Sequence, residues 1–367
     1  MSRLRKTPNK ALPQPSGGPP LRGPFFCLLL ALLGLLSGCG GEPDAALLED
    51  YLARLARTLD SEAPAARAVE LPRWPRTRAL PPAAAPIRLS SAQTLALMRC
   101  GMTNALAAEN TTLARVQASS QRLRQAHDTL AALRACADGE ALSAAQRAEI
   151  LPLLDAKAEQ RRRHLFHATL GSAEFRGLLR TGRARSREID AGLQALEALR
   201  GLALASAPGL RPPPPADWEP QLRALDVSQA GGALLARQRR LIQALEQANT
   251  LLAPAVDSLC RAGHQPPRAR VLRRVFEKFY LGGVQPLWAE TNRAKRRFAT
   301  ALADLLAVNA AVLEGEAGAG VRRYVAAAWA ADSPLDTALA QVAGRHVRLW
   351  QRALESCGWR PGVPASG

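Results

Sequence analysis

A metal site, a nucleophile or an acid–base pair each needs particular side chains at particular spacings, and this chain offers few. Its five histidines include one close pair, His164 and His167, three apart on a predicted helix with Glu159 and Glu174 nearby. An i, i+3 pair can share a metal ion. Arg161, Arg162 and Arg163 adjoin it and repel a cation, so solvated or partly packed histidines are expected, with no metal and no cofactor. The chain contains no G-x-S-x-G, H-E-x-x-H, S-x-x-K or P-loop pattern. Gly315, Gly318 and Gly320 follow no strand and make no nucleotide fingerprint. Carboxylates contributed from distant positions leave no local signature, so an enzyme stays open without support.

Two basic stretches could form contact surfaces. In RARVLRRVFEKFYL, residues 268–281, Val271, Leu272, Val275, Phe276, Phe279 and Tyr280 fall on one helix face, and Arg270, Arg273, Arg274 and Lys278 on the other. A partner groove or a core helix with a solvated basic face both fit. The second stretch holds Arg161, Arg162, Arg163, Arg176, Arg180, Arg183, Arg185 and Arg187. Anionic phospholipid headgroups would be its natural counter-surface, at ~1 kcal/mol per basic residue. The chain has 44 Arg and 5 Lys, as a GC-rich coding bias produces, so an arginine run carries less information than it would elsewhere. The net charge of +18 would otherwise point to nucleic acid, which the leader argues against.

That leader is residues 1–38, with five basic residues, no acid and a 12-residue apolar run, FFCLLLALLGLL. The run is short of the ~20 residues that span a bilayer and fits the ~7–15 of a secretory signal. It ends in Leu36-Ser37-Gly38-Cys39, which resembles the lipobox of bacterial lipoproteins. That resemblance implies cleavage before Cys39, acylation of its sulfur and new amino group, and anchoring by three chains. The next residue, Gly40, is not Asp, which in the usual sorting rule favours the outer membrane, with the chain facing the periplasm. Nucleic acid is then not an expected partner. Residues 39–44 read as a tether.

Of six cysteines, Cys27 leaves with the leader and Cys39 carries lipid. Cys100, Cys136, Cys260 and Cys357 remain, an even set in an oxidising compartment. Three pairings exist. Cys100–Cys136 and Cys260–Cys357 are favoured, because each brackets a helical hairpin whose ends should meet. The second bond requires the helix before Cys260 and the last helix to run parallel, with Cα atoms ~4.4–6.8 Å apart.

The elements that must position these residues are helices. Ala, Leu and Arg dominate, β-branched runs are nearly absent, and the 47% hydrophobic content excludes a disordered chain. The expected fold is all-α: an elongated multi-helix bundle with Pro-rich linkers and no significant sheet, forming one domain over 45–367 with a sub-boundary at 208–216. Leu47, Leu48, Tyr51, Leu52, Leu55 and Leu59 mark a first helix face. Pro-rich residues 63–89 predict an extended linker lying on a surface, and two helices follow over 91–136. Ser143 and Gln146 form a capping box ahead of a long helix. Ile189, Leu193, Leu196 and Leu199 mark another, and PGLRPPPP at 208–215 ends it. Leu241, Ile242, Leu245, Leu252, Val256 and Leu259 predict a helix kinked at Pro254. Gly282-Gly283 is expected to stop the 267–281 helix before one over 286–313. Ser333, Pro334 and Asp336 begin the last, which Cys357 and Gly358 end.

LLEDYLARLARTLD (47–60), LMRCGMTNALAAENTTLARV (97–116), PRARVLRRVFEKFYLGGVQP (267–286) and WQRALESCGW (350–359) together resemble one family, the uncharacterised proteobacterial lipoproteins catalogued as domain of unknown function 3080. The resemblance implies a lipid-anchored, mostly helical envelope protein and supplies no activity. The expected function is non-enzymatic binding of an envelope partner. The alternatives are a periplasmic hydrolase with distant carboxylates and a peripheral binder of anionic lipid. Cys39→Ala should abolish incorporation of a labelled fatty acid and leave the leader attached; label retained on that variant would put the acylated thiol elsewhere.

Overall fold

The computed structural model describes residues 43–109, 111, 116–182, 185–260 and 264–359. The leader, Cys39, Gly40 and Arg183 lie outside them. Among the described residues every regular element is helical and no strand occurs. The helices are α1 (Pro43–Leu59), α2 (Ser91–Arg99), α3 (Thr103–Glu109), α4 (Ser119–Asp138), α5 (Ala144–Ala168), α6 (Ala173–Leu178) and α7 (Ser186–Leu204). They continue with α8 (Pro215–Ser228), α9 (Ala230–Leu252), α10 (Pro267–Val275), α11 (Gln285–Val308), α12 (Ala310–Leu313), α13 (Ala319–Ala328) and α14 (Pro334–Ser356).

The centre is α9, with 17 of its 23 residues buried. A helix apolar on all sides must be surrounded, and α1, α7, α11 and α14 pack round it. Its few buried polar side chains are all tied to these neighbours. Arg237, 1% exposed, pairs with Asp44 of α1 at 2.6 Å and Glu290 of α11 at 3.0 Å, and donates to Ser186 of α7 at 3.0 Å. Gln238 donates to Asp336 of α14 at 2.6 Å and accepts from Lys295 of α11 at 3.0 Å. Asn249 donates to the Val342 carbonyl of α14 at 2.9 Å. Its side-chain oxygen lies 2.8 Å from His346 Nδ1. That makes Nδ1 the protonated ring nitrogen and leaves Nε2 to accept from Tyr51, at 2.7 Å. Trp350 Nε1 lies 3.0 Å from both partners.

The contacts 238–336, 249–342 and 260–357 advance together along both segments, so α9 and α14 run parallel as expected. Both favoured disulfides are present, with Cα–Cα distances of 5.6 Å for Cys100–Cys136 and 5.1 Å for Cys260–Cys357. Two details differ from expectation. Pro254 does not kink α9; the helix ends at Leu252, and turns carry the chain on to Cys260. A Pro supplies no N–H and crowds the preceding turn. Residues 91–138 form α2, α3 and α4 where two helices were expected; Gly101, at φ 71°, makes the extra break between α2 and α3.

Gly282-Gly283 stops nothing. Helix α10 passes through nine residues of π-helix, Phe276–Val284, directly into α11. The Gln285 N–H donates to the Tyr280 carbonyl, five residues back. Pro286 has no N–H, so the ladder must be interrupted near this point, and the widened π turn absorbs the interruption without ending the helix. The glycines serve packing instead. A Cβ on Gly283 would lie 2.9 Å from Leu47 Cδ1, so its absence lets α1 lie close.

The Pro-rich stretch after α7 does break the helices, but one apolar core runs across it. Ile189, Leu193, Leu196 and Leu199 before the break share that core with Trp218, Leu222 and Leu225 after it. A second, smaller core holds Ala96, Leu97, Met102, Leu133, Cys136, Leu142, Ile150 and Leu153. The α4–α5 hairpin joins the two: its open end (Leu123, Leu165, Phe166) sits in the large core and its tip in the small one. The Cys100–Cys136 bond fastens α2 to that tip. Residues 61–90 form an extended strap broken only by a short 3-10 turn at Thr77–Ala79. Trp74 seats it edge-on against Phe175 and Tyr324, at 5.3 and 5.1 Å.

Two stability effects follow. Replacing Cys260 and Cys357 together by Ser should cost up to ~5 kcal/mol for a loop of this length, measurable by denaturant titration of the oxidised protein. Burial holds the His346 imidazole down to about 3, against an ordinary 6.5. The unfolded chain therefore takes up a proton below pH 6.5 that the folded chain refuses. Stability from this group is complete above about pH 6.5 and falls toward pH 3, by ~1.4 kcal/mol per unit. Denaturation midpoints measured from pH 7 to 4 should fall steeply in the wild type and less steeply in His346→Phe.

Candidate functional site

The largest of four clefts, ≈ 970 Å³, lies between the strap, the α6–α7 connection and α9. Residues 232, 235 and 239 of α9 form its floor, one stripe at helical spacing. Gly232 is required there. A Cβ would lie 1.9 Å from the Arg180 carbonyl oxygen, so only glycine lets the α6–α7 connection rest on the helix. Leu179, Arg180 and Thr181 make one wall and residues 69–75 of the strap the other. Trp74 anchors that wall through its aromatic contacts.

Four arginines line this cleft, Arg73, Arg176, Arg180 and Arg239, against one acid, Glu70. Arg180 pairs with Asp226 at 3.0 Å, both half open to solvent. Arg176 donates to Thr77 Oγ1 and is thereby fixed to the strap. Arg73 and Arg239 have no ion-pair partner among the described residues. A wall of Trp, Pro and Leu beside several convergent guanidinium groups can hold an anion attached to an apolar body.

A second groove, ≈ 480 Å³, runs between α11 and the first turns of α14. Lys295 lies at its base, 2.6 Å from Asp336 Oδ1, with Trp288 and Trp329 on its sides. Burial lowers the Lys295 pKa, and its bond to Asp336 acts the other way. Of the four clefts described, none presents two carboxylates.

The arginines singled out from sequence have divergent fates. Arg161 is no surface group. It is 3% exposed, and its Nη2 donates to the carbonyls of Ser206, Ala207 and Leu210, at 2.7, 3.2 and 3.1 Å. It closes the end of α7 and holds the Pro-rich connection, whose open carbonyls need donors. Arg162 and Arg163 both pair with Glu159, at 3.0 and 2.7 Å. Arg270, Arg274 and Lys278 are exposed on α10 and the π-segment. Arg273 is half-buried over the Trp359 ring, 5.2 Å from its centre, and pairs with Glu277. The two basic stretches therefore do not merge into one patch. Of the cleft arginines, Arg176 and Arg180 were in the second stretch, whereas Arg73 and Arg239 come from segments that carried no signal of their own.

His164 and His167 are partly buried on α5. His164 is pushed down to about 4 by burial and then by Arg122, and His167 is lowered mainly by burial. No group of three or more His, Cys, Asp or Glu among the described residues could hold a metal ion. Lys157 and Lys295 escaped notice altogether. In a chain with 44 Arg and 5 Lys, the rarity of lysine was the only signal in the sequence; the burial of these two comes from packing.

No curated protein and no solved structure matches the chain. A family model does, over residues 48–361, from the middle of α1 past the end of α14. The match spans both cores, the strap, both disulfides and the arginine cleft, and the chain belongs to the family described as protein of unknown function, DUF3080.

Proposed function

We propose that this chain is a lipid-anchored envelope protein, held by Cys39 to the outer membrane on its periplasmic side, that works by binding rather than catalysis. The arginine cleft is where it grips an anionic group of its partner. The observation that carries this reading is the four-to-one excess of arginine over acid in the cleft beneath the strap. The Leu36-Ser37-Gly38-Cys39 sequence supports the anchor. A hydrolase with paired carboxylates is disfavoured by clefts that each carry at most one acid. Headgroup binding along Arg161–Arg187 is disfavoured by the inward course of Arg161 and the Glu159 pairing of its neighbours.

Trp74 in the cleft wall reports on occupancy. Titrating the full chain in neutral detergent with pyrophosphate should change its tryptophan fluorescence saturably. The double variant Arg73→Ser, Arg239→Ser should weaken that response at least ~10-fold, the equivalent of ~1.4 kcal/mol. A response unchanged in the variant would remove the cleft from the proposal. Recovery of the wild-type chain in the inner membrane or the soluble fraction would remove the outer-membrane placement.

A further inference from the structure

A small pocket lies where the α4–α5 hairpin meets the connection between α7 and α8. His127 and Arg134 of α4, Arg161 and Arg162 of α5 and the Pro208-Gly209 turn line it. Its volume is ≈ 70 Å³. That is room for several waters at ~10–15 Å³ each, or for one tetrahedral oxyanion, and is well below the ~300–1,000 Å³ of sites that enclose a larger organic molecule. Three guanidinium groups and an imidazole face this space, with no Asp or Glu among the lining residues.

Arg161 is the residue that makes this pocket unusual. It is 3% exposed, and its Nη2 is met by three backbone carbonyls, while no carboxylate pairs with it among the described residues. Its Nε is buried without a hydrogen-bond partner. Carbonyls supply dipoles but no opposing charge, and a cation taken out of water is costly without one. Its surroundings add to the strain. Burial, and then the neighbouring Arg134, lower the Arg161 pKa. Burial, and then Arg161, hold His127 below its ordinary value, with Asp128 acting the other way. The nearby acids are already engaged. Asp128 meets Arg124 and Arg211, at 3.7 and 3.2 Å, and Glu159 meets Arg162 and Arg163. Arg134 is exposed and has no ion-pair partner among the described residues. The chain thus gathers positive charge round this space that it does not itself neutralise.

We infer that this pocket binds a phosphate group, free or at the end of a small ester, among Arg134, Arg161 and Arg162. Guanidinium groups offer paired donors that match a tetrahedral oxyanion. The anion supplies the opposing charge that buried Arg161 lacks, and it ties the α4–α5 hairpin to the α7–α8 connection. This site is separate from the arginine cleft, and either can fail without the other.

The test uses the full chain in neutral detergent, with Arg73→Ser and Arg239→Ser in place to weaken the larger cleft. Equilibrium dialysis against radiolabelled inorganic phosphate, at an ionic strength held with chloride, should show saturable binding of one ion per chain. Adding Arg134→Ser should lower the affinity at least tenfold, and Arg134→Lys should restore part of it. Competition by glycerol 3-phosphate as strong as that by phosphate identifies an ester end as the ligand, and competition at least tenfold weaker identifies the free ion. Phosphate should also protect Arg134 of the unsubstituted chain from phenylglyoxal, read by peptide mass mapping, while Arg99, exposed on α2, still reacts. That measurement does not depend on any variant folding. Binding that never saturates, affinity unchanged by Arg134→Ser, or equal modification of Arg134 with and without phosphate would each overturn the inference.

Discussion

The row of buried polar groups along α9 is the constraint on which the rest of the molecule depends. Arg237, Gln238 and Asn249 are at most 1% exposed, and each must be met by partners from other helices or remain an unpaired polar group in an apolar interior. Arg237 is met from α1, α7 and α11, Gln238 from α11 and α14, and Asn249 from α14. Apolar packing alone tolerates sliding of one helix along another. These bonds do not, because a shift of one turn would strand every member at once. Their partners fix the register and direction of α14 beside α9, and that brings Cys260 and Cys357 within bonding distance.

The same economy governs the charged surface. Several of the chain's arginines are used as internal bracing. Arg161 and Arg124 hold the carbonyls of the Pro-rich connection between α7 and α8, where prolines supply no donors of their own. Arg176 ties α6 to the strap. A guanidinium suits this work because it offers five donors in a planar fork and keeps its charge when buried. Arg73 and Arg239, which have no ion-pair partner among the described residues, line the cleft beneath the strap beside the tied Arg176 and Arg180.

Much of the fold was legible from residue types alone. The capping residues Ser143 and Ser333, the apolar stripes of α1, α7 and α14, and the interruptions at 61–90 and 208–215 are local, because caps, periodicity and proline act within a turn or two of chain. The pairing of four cysteines into two bonds followed once helix ends were placed. The run through Gly282-Gly283 was not legible. Two glycines read as a stop when only local propensity is weighed, while the close approach of Leu47 that gives them a use comes from a helix more than two hundred residues earlier in the chain.

By itself, then, the sequence determined the helical class, the positions of most helix ends and the cysteine pairs, since each depends on neighbours along the chain or on the simple arithmetic of residue types. Only the tertiary structure decided which of the arginines face inward, which lysines are buried, and which distant segments share a cleft. Arg73 on the strap, Arg180 after α6 and Arg239 on α9 are brought together because Gly232 lets one backbone rest on another and Trp74 pins the strap across both. Arg161 looked like its neighbours Arg162 and Arg163 in every local respect. A helix turn separates them by ~100° per residue, and it is the packing of α5 against the α7–α8 connection that turned one of the three into the core and left two half-exposed beside Glu159.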